Sequence, residues 1–374
     1  MNILFASYFG HSKGGAEVSM ELLAREIKNR GHNVFIASAG DFDNFQVLKF
    51  LKLRYIPFSF RDSYLAWVFR RIIKKNKIDV IHANDRFTAV AAVKAARKEN
   101  IRSVVHFRDY WYLCPKSTLY CENDPDCPCI SSKTKHRKSL RFLINSYKMN
   151  YIRGIWSVIR NADVKIAIST NIAEALEKIG VKDYKIIPNF VNIDQFEDIN
   201  FDVKSKYNLK KYVLGYVGNI DVSKGSEIIK QIILRFKDKN NVSFLIIGRG
   251  PKKEDLYNFV ISNRIKNVVF VDWVDNKKIS AYYNAMNILL VPSLWKEPLG
   301  RVLLESAFFG KPFVASNVGD VKNFIKGDFV IVKDPLDIDA WENSIYSLLN
   351  NKNAKIKLLD YKDKVVDEVL GLYS

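Results

Sequence analysis

Buried strands alternate with amphipathic helices along nearly the whole chain, in two successive series. Residues 3–7 read as a buried strand, a loop runs to Gly15, residues 17–30 form an amphipathic helix that Gly31 closes, and residues 34–38 are the next strand. Residues 80–82, 103–107, 164–168 and 184–187 continue this series until Pro188 ends it. A second series places strands at 212–217, 242–247, 267–271, 287–291 and 313–316. Strand–helix alternation of this kind builds parallel sheets with right-handed crossovers. A chain of 374 residues exceeds one ordinary core, and 48% hydrophobic residues suffice to fill two. The expected division is 1–190, 191–350 and a final helical piece 351–374, with residues 189–196 linking the domains and the last helix at about 355–372. Ligands of such sheets gather beyond the carboxyl ends of the strands, where Gly14, Gly15, Lys224 and Glu297 all fall.

Residues 292–305 read Pro-Ser-Leu-Trp-Lys-Glu-Pro-Leu-Gly-Arg-Val-Leu-Leu-Glu. Pro298 suits a first helical position and Gly310 with Pro312 marks the far end, so a helix is expected at about 298–309. Its first turn offers backbone N–H groups, and Leu299 and Gly300 carry no charge that would repel an anion. On that helix Glu305, eight positions after Glu297, is rotated by only about 80° and lies about two turns deeper. Two acceptors at two depths around a phosphate suit a nucleotide-sugar. Two unrelated glutamates on a helix remain the plainer reading of the spacing alone.

The segment resembles the signature of retaining GT-B glycosyltransferases of family four. Gly14-Gly15, Gly218 with Lys224-Gly225, Gly248-Arg249-Gly250-Pro251 and residues 310–316 follow that family's order over nearly the whole chain. The resemblance implies two Rossmann-like domains whose parallel sheets face each other across a cleft, the last helix packing back on the first domain. It implies that Glu297 bonds a donor-sugar hydroxyl, Glu305 the nucleotide ribose, and Leu299 and Gly300 the diphosphate. Where the family carries an Arg after the first glycine this chain has Asn219, and only Lys224 of the usual cation pair remains. Arg301 or Arg249 would have to supply the second charge. The Gly14-Gly15 turn lacks the G-x-G-x-x-G spacing of a dinucleotide fingerprint and reads either as a flexible loop or as a wall of the acceptor pocket.

Residues 106–115 resemble the His-Asp-aromatic stretch of polysaccharide-assembling members, whose histidine lies beside the donor sugar. Arg108 stands next to Asp109 where that His belongs, and His106 comes two residues earlier. On a strand both share a face, so either can point into the cleft, Arg108 adding charge at the leaving phosphate. A satisfied core histidine is the competing reading of His106. Cys114, Cys121, Cys127 and Cys129 fit zinc knuckles loosely, and structural zinc, reduced thiols or a facultative disulfide all stay open. Asp41-x-Asp43 and Asp124-x-Asp126 match the metal-binding pair of the other nucleotide-sugar enzyme fold, but the resembled family needs no such metal.

Charge is uneven. Residues 1–190 hold 32 Lys plus Arg against 17 Asp plus Glu, leaving +4 of the total +19 to the rest. Residues 133–160 carry eight basic side chains, no acidic ones, and an apolar stripe through Leu140, Ile144, Tyr147, Tyr151, Ile155 and Ile159. A helix there packs its stripe on the domain and offers Arg137, Lys138, Arg141 and Lys148 to anionic lipid; residues 64–75 add a second patch. No basic and aromatic nucleic-acid module is present, so no nucleic-acid partner is expected. No stretch reaches membrane-spanning length and the start does not read as a signal peptide, so a cytoplasmic location at the inner face of the cell membrane is expected.

These readings converge on a GT-B enzyme that transfers sugar from a UDP- or GDP-sugar, with retention and without a required cofactor, to an oligosaccharide or lipid-linked acceptor in surface polysaccharide synthesis. A GT-B-shaped nucleotide-sugar 2-epimerase and a non-catalytic basic membrane- or nucleic-acid-binding protein are the alternatives.

Overall fold

Ile3, Leu4, Phe5 and Ala6 are all fully buried, the signature of a strand covered on both faces by helices. In the computed structural model, residues 1–10, 14–43, 45–53, 56–115, 117–120, 140–197, 201–316 and 319–374 are described, the side chains of 140–142 excepted. They divide into two units, Met1–Phe190 with Tyr361–Ser374, and Val191–Asp360.

The first unit contains β1 Asn2–Ser7, β2 Asn33–Ser38, β3 Gln46–Lys49, β4 Val80–Ala83, β5 Arg102–Phe107, β6 Val164–Ala167 and β7 Lys185–Ile186, in the all-parallel order β3-β2-β1-β4-β5-β6-β7. The second contains β8 Tyr212–Val217, β9 Val242–Ile247, β10 Val268–Val271, β11 Ile288–Val291, β12 Phe313–Ser316, β13 Ile325–Gly327, β14 Val330–Val332 and β15 Ile356–Leu358. Its main sheet runs β10-β9-β8-β11-β12-β14, also parallel, and β13 pairs antiparallel with β15. Each unit is thus a Rossmann-like α/β layer structure with its own apolar core.

Three expected helices differ. Helix Arg301–Phe308 starts three residues after Pro298, because Gly300 is extended (ψ 105°). The helix expected at 355–372 is strand β15 followed by helix Lys362–Gly371, whose Val365, Val366 and Val369 join the core of the first unit against helix Gly15–Asn29. The basic segment forms helices Leu140–Gly154 and Trp156–Arg160, which break at Gly154-Ile155. Its expected stripe is divided: Ile155 and Ile159 are buried, but Ile144 and Tyr147 are 45% and 52% exposed. The face that packs runs instead through Asn145, Met149 and Ile152.

Candidate active site

In the second unit, β8 ends at Val217 and the chain turns through Gly218 and Asn219 to Asp221. The Asp221 carboxylate accepts from the Ser223 amide at 2.8 Å and shapes a short 3-10 turn, Val222–Lys224. Gly225 follows at φ 80°, and a Cβ there would lie 1.9 Å from the Pro292 carbonyl oxygen. Only glycine meets both demands. This close approach lets the Ser223 carbonyl accept from the Leu294 amide at 2.8 Å, so the Lys224 turn is fastened to the segment leaving β11.

That fastening brings Lys224 Nζ to 2.7 Å from Glu297 Oε1, across 73 positions of sequence. Glu297 Oε2 accepts from Ser293 Oγ at 2.8 Å, and the Lys224 ammonium lies 4.8 Å from the centre of the Trp295 ring. The Glu297 carboxyl carbon is 3.6 Å from where a Gly300 Cβ would stand, so Lys224, Glu297 and the residue before helix Arg301–Phe308 form one cluster. Gly319, at φ 40°, closes it from behind: its Cβ would be 1.9 Å from the Pro298 carbonyl oxygen. The Glu297 and Glu305 side chains are therefore not two turns of one helix, since Glu297 lies outside it. Leu299 is buried, while Asn219 is exposed in its loop.

Glu305 is buried at 3% exposure. Its carboxylate accepts from Arg301 Nε at 2.8 Å and from the Tyr283 hydroxyl at 2.9 Å, and burial followed by the Glu305 charge raises the Tyr283 phenol well above its ordinary range. A carboxylate has about four acceptor sites, and these bonds use two of them. Arg301 Nη2 also donates to Gln195 Oε1 at 2.7 Å, and Arg249 forks onto Asp272 at 2.8 and 3.0 Å. Both spare cations are committed to partners within the unit, so neither stands ready beside Lys224 as a replacement for the missing arginine.

In the first unit, His106 and Arg108 do meet: Arg108 Nη2 lies 3.3 Å from His106 Nδ1. Their surroundings are interior. Arg108 Nε donates to Asn84 Oδ1 at 2.6 Å and Nη1 donates to Asn189 Oδ1. His82 Nε2 lies 3.3 Å from His106 Nδ1, and His82 Nδ1 lies 2.6 Å from the Tyr373 hydroxyl. One assignment of protons satisfies the chain, with the Tyr373 hydroxyl donating to His82, and His82 and Arg108 both donating to His106 Nδ1. Both rings are then neutral. Burial, with Arg108 as second cause, lowers His82 to about 3 and holds His106 well below the usual histidine range. The Arg108 guanidinium is engaged with Asn84, Asn189 and His106. His106 is a buried core histidine whose Nδ1 is bonded and whose Nε2 has no partner among the described residues. Asn84 Nδ2 in turn donates to the Ala16 carbonyl at 3.3 Å, tying this network to the start of helix Gly15–Asn29. Gly14, just before it, has extended backbone.

Cys114 is buried. Cys121, Cys127, Cys129, Asp124, Asp126, Arg137 and Lys138 lie outside the described residues, as does the Arg141 side chain. Among the described residues no group of three or more His, Cys, Asp or Glu could hold a metal, and no helix is long and apolar enough to cross a membrane. Sequence reasoning missed Ser293, Tyr283, His82 and Asn84. Of these only Ser293, four positions before Glu297, lay close enough in sequence to be sought.

Residues 13–195 match the model of Glycosyltransferase Family 4, and residues 198–364 match Glycosyl transferases group 1. An uncharacterised 42.6 kDa protein of the cps region of Klebsiella pneumoniae is 24% identical over the full length of both chains. The UDP-Gal:alpha-D-GlcNAc-diphosphoundecaprenol alpha-1,3-galactosyltransferase of Escherichia coli is 24% identical over 79% of this chain and 73% of its own. The structure of Anabaena HepE in complex with UDP and glucose superposes with a TM-score of 0.70 at 17% identity, covering 93% of this chain and 90% of that one. With two Rossmann-like units and both family matches, the chain belongs to the GT-B glycosyltransferases, with a family-four first part and a group 1 second part.

Proposed function

We propose that this glycosyltransferase moves a sugar from a UDP- or GDP-sugar to a lipid-linked or oligosaccharide acceptor, with retention of anomeric configuration, in surface polysaccharide synthesis. The observation that carries the reading is the joining of Lys224, Glu297 and Gly300 at the start of helix Arg301–Phe308. A diphosphate on the first-turn amides would sit against the positive end of the helix with Lys224 beside it. Glu297 then takes a donor-sugar hydroxyl and Glu305 the ribose. In front-face transfer the acceptor oxygen bonds to the anomeric carbon as the bond to the diphosphate oxygen breaks. The departing phosphate oxygen takes the acceptor's proton, and Lys224 and the amides stabilise the developing charge. The Arg108 network positions the start of helix Gly15–Asn29, and hence Gly14 and Gly15, for the acceptor. The Klebsiella and Escherichia relatives support the polysaccharide context and a diphosphate-linked acceptor. The basic first unit supports work at the inner face of the cell membrane, with Lys148 among the lipid-facing cations.

The test is incubation with UDP-, GDP- and dTDP-sugars and a lipid-diphosphate sugar, with NMR of the product anomer. Transfer with retained configuration is expected. A free epimer formed without acceptor would establish the epimerase instead, and inversion would reject the front-face step.

A further inference from the structure

The first unit holds an open recess between helix Phe58–Asn76 and helix Leu140–Gly154. Phe58, Trp111 and Tyr151 wall it, and Arg61, Arg86 and Lys148 line it as well. Two hydrogen-bond donors there have no partner among the described residues: Arg61 Nε and Trp111 Nε1. Both side chains belong to residues only 3% exposed. A buried donor without an acceptor is costly, and both of these belong to residues that line one recess, where a ligand rich in acceptors would relieve them.

The guanidiniums sharpen the class. The Arg61 and Arg86 guanidiniums stand 4.9 and 4.5 Å from the same Phe87 ring, so two like charges converge there. Arg61 Nη2 pairs with Asp62 at 2.9 Å and reaches the Tyr151 hydroxyl at 3.4 Å; Arg86 Nη1 donates to the Pro115 carbonyl at 2.9 Å. Asp62 pairs with Arg61, and the Asp109 and Asp85 charges act on Arg86, so the recess draws a ligand through its hydrogen-bond donors rather than through an uncompensated charge. Tyr147 stacks on Phe58 at 5.7 Å, and Leu143, Ile144 and Tyr147, on one face of the helix, are 56%, 45% and 52% exposed. Exposed apolar side chains on the helix that walls the recess, one of them stacked on Phe58, fit an amphiphile better than a bare ion.

We infer that the recess between these two helices binds the phosphate or diphosphate head of a lipid-borne ligand, with Arg61, Arg86 and Trp111 taking its oxygens and Tyr147, Ile144 and Leu143 its apolar chain. Naming that ligand as the glycosyl acceptor rests on the function proposed above; the binding site does not.

The experiment titrates the full chain with decyl diphosphate, decanol and inorganic diphosphate at physiological salt by calorimetry. Decyl diphosphate should bind at least about tenfold more tightly than either fragment. Trp111→Phe keeps an aromatic ring, though a smaller one, and removes the N–H; it should weaken decyl diphosphate about tenfold and leave decanol unchanged. Tyr147→Ser should weaken decyl diphosphate and leave inorganic diphosphate unchanged. Retained UDP-sugar binding serves as the folding control for both variants. Equal binding of decanol makes the recess a plain apolar groove, equal binding of inorganic diphosphate makes it a free-anion site, and unchanged affinity in both variants puts the ligand elsewhere; each overturns the inference. Binding as expected, in a protein that consumes no nucleotide-sugar, would keep the recess and sink the glycosyl-transfer reading. Equal glycosylation of a lipid-diphosphate acceptor by wild type and Trp111→Phe would keep the transfer reading and overturn the naming of the recess ligand as the acceptor.

Discussion

Glu297→Gln is the sharpest probe of the nucleotide cluster. Glu297 side-chain exposure is 10% and that of Lys224 28%, and their 2.7 Å contact fixes the ammonium beside the carboxylate. The amide keeps an acceptor for Ser293 but surrenders the charge that holds Lys224. One charged hydrogen bond is worth about 1.5–3 kcal/mol, so kcat/KM for the donor should fall roughly 10- to 100-fold. Stability should change little, because the ammonium keeps solvent access and its Trp295 contact at 4.8 Å. The assay is initial-rate kinetics on Glu297→Gln, Lys224→Ala and the double variant, beside a thermal melt. If the carboxylate acts partly by holding Lys224, the double variant loses much less than the product of the single losses. Wild-type kcat/KM in Glu297→Gln, or single losses that multiply in full, would refute this coupling.

Glu305→Ala strands Arg301 and the Tyr283 hydroxyl in a buried setting and should cost about 3 kcal/mol, a fall in Tm of roughly 6–12 °C, while also weakening UDP binding; an unchanged melt would show that this pair is not structural. Burial raises Asp109 to about 6, so the native carboxyl keeps its proton between about pH 4 and 6 after the unfolded chain has lost it, and stability drains as pH rises through that window. Asp109→Asn should therefore gain stability relative to wild type across pH 4 to 6 in urea titrations, and a constant difference would exclude Asp109 as the cause. Tyr373→Phe removes the hydroxyl 2.6 Å from His82 Nδ1 and should cost about 1–2 kcal/mol in urea unfolding; an unchanged midpoint would show that the contact contributes nothing.

The chain's own pattern determined the two parallel-sheet units. Strands such as β1 and β9 are continuous apolar runs bounded by turn residues, and that local signal survives any packing. Lys224-Gly225 and Glu297 are singled out through the family resemblance, since a lone lysine in a loop and two glutamates near a helix are commonplace by themselves. Short β3 and β14 were not legible, since their few half-exposed residues carry no clear period. The start of helix Arg301–Phe308 was hidden because Gly300 is extended and Gly319 presses on the Pro298 carbonyl, a contact set by packing. Tertiary structure alone decided that Lys224 pairs with Glu297, that Arg301 is spent on Glu305 and Gln195, and that His106 joins His82 and Tyr373. It also placed Arg61, Arg86 and Trp111 around one recess. Such partnerships join residues tens to hundreds of positions apart, and local periodicity reports which face of an element is buried without naming what it will meet there.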